Sequence, residues 1–253
     1  MSFIPKLVVI SGASKGIGLA FANQLLRRSS ETTIIAASRS GTSSGLEKLQ
    51  NEFGAGRVFP MACDITSQEQ CKAMAAQIKA EHDKQPIDML LNVAGVLHEV
   101  GSSGMMPERS LSSIDASEMQ RVFATNAMGP VLVTQALAPQ FGKKARIGNV
   151  SARVGSISDN RLGGWWSYRM SKAALNMATV NMALELKRKE VIAVALHPGT
   201  TDTGLSEPFQ KNVRPEKLFT PDYSAGAMLD VLTGLTMEDS GKFFAYDGSL
   251  IEY

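Results

Sequence analysis

The stretch Lys6–Gly18 constrains this chain more than any other. An apolar, β-branched run, KLVVIS at Lys6–Ser11, passes without a linker into Gly12-Ala13-Ser14-Lys15-Gly16-Ile17-Gly18, and Leu19–Arg28 then carries apolar residues at helical spacing. A buried strand that turns through glycines straight into a helix is the opening of a strand–helix–strand unit. The alternation continues. Thr33–Ala37, Val58–Ala62, Ile87–Val93, Arg146–Val150, Val191–Leu196 and Phe243–Tyr246 read as further short strands. Between them Glu47–Phe53, a helix capped by Ser67 and running to about His82, Ala116–Phe141, a helix carrying Tyr168 near its start and ending near Lys189, and Pro221–Leu235 read as helices. Val96–Ser113, with its Gly, Ser, Met and Pro, reads as a long loop. Strands that are apolar throughout belong to a parallel sheet covered on both faces. The expected fold is an α/β, doubly wound domain with a seven-stranded parallel sheet, spanning residues 1–253 without repeat or linker. In such a sheet ligands bind beyond the carboxyl ends of the strands, where the strand order reverses.

Composition narrows the function classes. A net charge of +2 on 253 residues is too small to imply nucleic acid or an acidic membrane surface as partner. Cys63 and Cys71 offer neither a disulfide framework nor a four-ligand metal site. The short apolar run at the N-terminus leads into glycine and reads as a strand, not a signal peptide, and no apolar run approaches the ~18 residues of a membrane span. A cytoplasmic protein is the expectation.

The glycine turn is the first candidate site. Gly12, Gly16 and Gly18 allow the backbone to approach a pyrophosphate, and the N-terminus of the following helix attracts its charge. A tight turn alone would also use glycine. An NAD site of this architecture carries an acid at the end of the second strand, about 20 residues on, to hold the ribose 2′-hydroxyl. This chain has Ala37-Ser38-Arg39-Ser40 instead, with no acid until Glu47. Arg39, with Lys15 in the turn, suits a 2′-phosphate, so the cofactor expected is NADP(H); the other reading of Arg39 is a solvated surface residue. Asp64 follows the third strand, where an adenine amino group would lie, though it also suits a helix-flanking acid. Asn92-Val93-Ala94-Gly95 ends the fourth with small residues that let a cofactor pass close to the backbone. Asn126 sits mid-helix, where it is either a satisfied core amide or a local break that holds a water.

Tyr168-Arg169-Met170-Ser171-Lys172 carries the reactive pair. Four residues apart on a helix, Tyr168 and Lys172 share a face. The ammonium favours the phenolate and so should lower the phenol's pKa, suiting it to proton exchange with a carbonyl or alcohol oxygen. Alone, the spacing fits any amphipathic helix. In order along the chain, however, SGASKGIG, the Asp64 step, NVAG, Asn126, YRMSK and HPGTTDT resemble the short-chain dehydrogenase/reductase family, with its Rossmann-type fold, over nearly the whole length. GSISDNRLGGWWSYRMSKAALN and the ending KFFAYDGSLIEY resemble its C-factor/Sniffer-like carbonyl reductase branch. The resemblance implies Tyr168 as proton donor and acceptor, Lys172 on the nicotinamide ribose, and Asn126 holding a water that links Lys172 to a proton relay. It implies that Pro198, Gly199, Thr201 and Thr203 wrap the carboxamide and phosphates, and adds Ser14, Ile17, Ser38 and Ile65 to the cofactor contacts.

One position departs from the family. The serine that binds the substrate oxygen stands three residues before a glycine, and counting back from Gly155 reaches Ala152. Ser151 is one step earlier, and neighbours on an extended strand point to opposite faces. The segment Ser156–Trp166 is also longer than usual and offers other hydroxyls. Trp165, Trp166, Met105 and Met106 suit an apolar substrate pocket, core packing or a subunit interface. The leading expectation is an NADP(H)-dependent oxidoreductase acting on a small carbonyl or alcohol. The alternatives are a dinucleotide-binding regulatory or signalling protein with little turnover, which Ala152 favours, and a methyltransferase, which leaves the Tyr/Lys pair unexplained. The helix Ser171–Lys189, with Ala174, Leu175, Met177, Ala178, Val180, Met182, Ala183 and Leu186, is too apolar all round for one face in water, so a homodimer or homotetramer is expected.

Overall fold

The computed structural model describes residues 3–82, 85–97 and 107–253, so Met105 and Met106 lie outside the described residues. The chain runs β1 (Leu7–Ser11), α1 (Gly16–Arg28), β2 (Thr33–Ser38), α2 (Ser44–Phe53), β3 (Val58–Ala62), α3 (Gln68–His82) and β4 (Ile87–Asn92). It continues through α4 (Ala116–Phe123), α5 (Gly129–Leu137), β5 (Phe141–Val150), α6 (Trp166–Glu185), β6 (Ile192–His197), β7 (Thr200–Thr201), β8 (Leu218–Phe219), α7 (Pro221–Gly234) and β9 (Phe243–Ala245). The main sheet has seven strands in the order β3-β2-β1-β4-β5-β6-β9, all paired in parallel. The order reverses between β1 and β4, which places a crevice beyond their carboxyl ends.

Alternate residues of β1 supply both cores. Val8 and Ile10 pack with α1, α2 and α7, while Leu7 and Val9 pack with α3, α5 and α6. Both sets are fully buried, which is why the strands are apolar throughout. The register then aligns the strand ends: Ser11 lies opposite Ala37 and Asn92, Asn92 opposite Asn149, and Val150 opposite Leu196. Functional residues just after these positions share one edge of the sheet.

Three local departures from the sequence reading bear on the site. The stretch read as one helix, Ala116–Phe141, is broken by a π-turn at Ala124–Met128 that contains Asn126, and the helix ends at Leu137. Phe141 belongs to β5, buried and opposite Ile87, with Lys144 in the left-handed region where that strand bulges. α1 begins at Gly16, so the glycine turn is also the first turn of the helix. The two-residue β7 and β8 pair beyond β6, too short to show any periodicity.

Candidate active site at the carboxyl edge of the sheet

The glycine turn owes its sequence to two constraints. Gly12 (φ 75°) and Gly16 (φ 56°) are left-handed. A Cβ on Gly12 would also stand 2.7 Å from the Ala94 backbone, and one on Gly18 2.2 Å from the Gly12 carbonyl. The turn is thus pressed between β4 and its own helix. Lys15, at the cap position of α1, makes no side-chain cap and the first turn holds no acid, which leaves this helix N-terminus suited to an anion. From the other side Thr203 comes down on the turn, its Cγ2 3.3 Å from where a Gly16 Cβ would be. Ser14 is half-buried beside Lys15 and Ile17.

At the end of β2, Ser38 is buried and Arg39 exposed; among the described residues the Ser38 hydroxyl has no hydrogen-bond partner and Arg39 is in no ion pair. The Asp64 carboxylate accepts from Thr66 N (2.9 Å) and Thr66 Oγ1 (2.8 Å). Those bonds, then more weakly the Arg39 charge, hold its pKa below the usual value. Asp64 therefore braces the turn before α3, and Ile65 beside it is buried in the core. The Asn92 side chain turns inward, donating to Asn149 Oδ1 (2.8 Å) and Thr134 Oγ1 (3.3 Å), and Asn149 passes the chain on to Thr179 (2.8 Å). Ala94 meets the glycine turn, and a Cβ on Gly95 would lie 3.3 Å from Asn126 Oδ1 and 3.6 Å from Lys172 Nζ. Only glycine keeps that surface open.

The π-turn aims Asn126 inward. Fully buried, it accepts from Val96 N (2.8 Å) and donates to Val96 O (2.8 Å) and Ser171 Oγ (3.1 Å). Ser171 donates in turn to the Tyr168 carbonyl (2.8 Å). Tyr168 and Lys172 lie on the same face of α6, 8% and 4% exposed. Lys172 Nζ donates to Val150 O (2.8 Å) and stands 5.7 Å from the Tyr168 ring centroid. Pro198 O accepts from Ser224 Oγ (2.7 Å) and Thr201 Oγ1 (3.3 Å), and left-handed Gly199 packs under Phe219.

The family described as short chain dehydrogenase matches residues 6–214. The 1-hydroxy-2-glutathionyl-2-methyl-3-butene dehydrogenase of Rhodococcus sp. (strain AD45) is 33% identical over 97% of this chain and 99% of that protein. The chain belongs to the short-chain dehydrogenase family. The C-signal protein of Myxococcus xanthus is 39% identical over 66% of this chain and 93% of its own length. An NADPH-bound carbonyl reductase from chicken fatty liver superposes with a TM-score of 0.86 at 28% identity, covering 99% of this chain and 100% of that one. The resemblance to the carbonyl reductase branch is thereby met in sequence and in fold.

Within this short-chain dehydrogenase two expectations are revised. The spacing of Tyr168 and Lys172 predicts a lowered phenol pKa, but burial pushes Tyr168 upward, and the same burial pushes Lys172 down to about 8. Removal from water disfavours both charged forms more than the pair's attraction favours them at this separation. Ser151, the candidate nearest the missing serine, sits elsewhere: its hydroxyl donates to Asn176 Oδ1 (2.7 Å), and Asn176 donates to Gly155 O (3.3 Å). Asn176 is two turns of α6 beyond Tyr168, about 12 Å at 1.5 Å per residue. Ala152 is extended (φ −150°, ψ 144°) and half-buried.

The structure separates the two tryptophans that the sequence marked together, and brings in residues that it did not mark. Trp165 stands edge-on to Tyr168 at 6.3 Å and packs on Phe209 at 5.1 Å, whereas Trp166 is exposed. Glu108 is buried at the start of α6, where it accepts from Ser167. A cavity of about 340 Å³ lies against Gly199 and Thr200, lined also by Arg153, His197, Lys217, Phe219 and Asp247. Distances of this kind join segments far apart in sequence, and no local pattern encodes them.

Proposed function

We propose that this short-chain dehydrogenase is an NADP(H)-dependent carbonyl reductase in which Tyr168 is the general acid. The observation that carries the reading is the buried chain of hydrogen bonds from Asn126 through Ser171 to the Tyr168 carbonyl, with Lys172, bonded to Val150 O, packed beside it and both Asn126 and Lys172 lying close to Gly95. The residues around the crevice fit the cofactor. The uncapped start of α1 and the glycine turn suit a pyrophosphate, and the unpartnered Ser38 hydroxyl beside Arg39 suits a 2′-phosphate, with Lys15 adding charge. Asp64, Ile65, Asn92 and Ala94 flank the adenosine path; Pro198, Gly199, Thr201 and Thr203 wrap the carboxamide and phosphates. NADPH, when bound, supplies the hydride.

The chain's own work is positioning and proton transfer. Burial keeps Tyr168 in its protonated form, the form the reducing direction starts from, and the phenol donates to the carbonyl oxygen as charge develops there. Lys172, with its pKa lowered to about 8, is near ionisation balance at working pH and resupplies the proton, with Asn126 keeping the path from Lys172 open under Gly95. The Trp165–Phe209 pair gives the Tyr168 side of the site an apolar wall. The charged cavity beside Gly199 gives room for a polar extension of the substrate.

An NADPH-oxidation screen over aldehydes, ketones, diones and glutathione-conjugated carbonyls tests the reading, with Tyr168→Phe as control. Turnover lost in Tyr168→Phe while NADPH affinity is kept is the expected result. NADPH binding without turnover of any carbonyl favours the second reading, a dinucleotide-binding signalling protein, which Ala152 and the likeness to C-signal support. The protein is proposed to be a single-domain cytoplasmic enzyme; no helix among the described residues is long and apolar enough to cross a membrane. It is proposed to self-associate through Met128 and Val131 beside α5 and Met170, Met177 and Leu184 on α6, all exposed. A monomeric mass by light scattering at micromolar concentration would refute that.

A further inference from the structure

We propose that Glu108 is a positioning residue for Tyr168: from a segment outside the helix it caps the N-terminus of α6 and fixes where the phenol stands. The proposal rests on the reading of Tyr168 as the acid.

α6 has no cap of its own. Its cap position is Trp165, which is left-handed (φ 50°, ψ 47°) and offers no side-chain acceptor, and its first turn has no acid. A helix of 20 residues begins with N–H groups that need partners when buried. Glu108 supplies acceptors for two backbone N–H groups at this end. Its backbone carbonyl accepts from Trp165 N (2.5 Å), its Oε2 from Ser167 N (3.4 Å), and its Oε1 from Ser167 Oγ. Glu108 is only 9% exposed and is in no ion pair among the described residues. The charge that compensates this carboxylate is the positive end of the α6 dipole together with the Ser167 hydroxyl.

These bonds fall on the residues just before the reactive one. Ser167 immediately precedes Tyr168. Trp165 is an aromatic residue in a disfavoured backbone region, a conformation that the surrounding structure must hold. Its indole forms the wall between the Tyr168 ring and Phe209. Glu108 therefore holds the short backbone segment on which both the acid and the wall are mounted. A displacement of about 1 Å at a reacting group can cost roughly 10²-fold in rate, so the consequence is kinetic as well as structural.

The test uses the full chain and a carbonyl substrate found in the screen. kcat is expressed per NADPH-binding site, with sites counted by fluorescence titration. Glu108→Ala is expected to lower kcat about 10- to 100-fold with NADPH affinity unchanged. Glu108→Gln, which keeps one acceptor oxygen for Ser167, is expected to restore part of it. In a Trp166→Phe background, Trp165 emission should shift in Glu108→Ala and stay near the wild-type position in Glu108→Gln. If Glu108→Ala does not fold, Ser167→Ala carries the same comparison with a smaller fall. A merely stabilising contact would lower the Tm and leave kcat per site unchanged; that result overturns the proposal. Absence of turnover in the unmodified protein overturns the Tyr168 reading and this inference with it, whereas turnover lost in Tyr168→Phe but untouched in both Glu108 variants overturns this inference alone.

Discussion

The pair Ser151 and Ala152 gives the sharpest test of how this site works. The Ser151 hydroxyl is 2% exposed and spends its bond on Asn176, about two helical turns from Tyr168. Its removal in Ser151→Ala leaves Asn176 Oδ1 buried without a donor, at a cost of about 1–3 kcal/mol. For a chain of this size that is a fall of roughly 2–12 °C in Tm. The phenol loses nothing, so kcat should stay within about twofold, the change expected of a site left in place. Ala152→Ser is the converse. It puts a hydroxyl at the family's serine position, and one donor to a developing oxyanion is typically worth about 10²–10³ in rate. The rise in kcat is expected to approach that range, with little change in Tm. Stopped-flow or steady-state NADPH oxidation gives kcat, and thermal unfolding gives stability. A Ser151→Ala protein that folds, binds NADPH and has lost turnover would refute the reasoning, because Ser151 would then be serving the substrate oxygen.

Three further outcomes follow from the same geometry. Lys172 has a folded pKa of about 8 against an ordinary 10.5, so between these values the unfolded chain binds the proton that the folded one releases. Unfolding free energy should therefore rise from about pH 8 to about pH 10, above which the raised Tyr168 pulls the other way; denaturant titrations of Lys172→Met should lack the rise. Arg39→Asp should weaken NADPH about 10- to 100-fold, the value of a lost charge-assisted contact, and bring NADH binding level with or above it by calorimetric titration. Gly12→Ala forces a side chain into a left-handed residue 2.7 Å from the Ala94 backbone, so it should cost more than about 1–3 kcal/mol and abolish cofactor binding in whatever protein remains folded.

The architecture was legible in the sequence because it depends on local order. Continuous apolar strands, helical spacing between them and glycine at left-handed positions are set by neighbours in the chain, and they define the sheet, its crevice and the shared face of Tyr168 and Lys172. The Asn126 break was legible too, since asparagine at mid-helix points to a satisfied amide or an interruption, and here the π-turn makes it both. Side-chain direction and proton affinity were not. Whether Ser151 meets the phenol or Asn176, and whether Lys172 lowers the phenol's pKa or is itself depressed, depends on burial from every side. The contacts of Thr203 over Gly16, Trp165 against Phe209 and Glu108 beneath α6 join segments tens of residues apart. The sequence alone determined the fold and which residues reach one edge of the sheet. Tertiary packing decided which way they face and which protons they hold, because desolvation and hydrogen-bond partners exist only once distant segments have met.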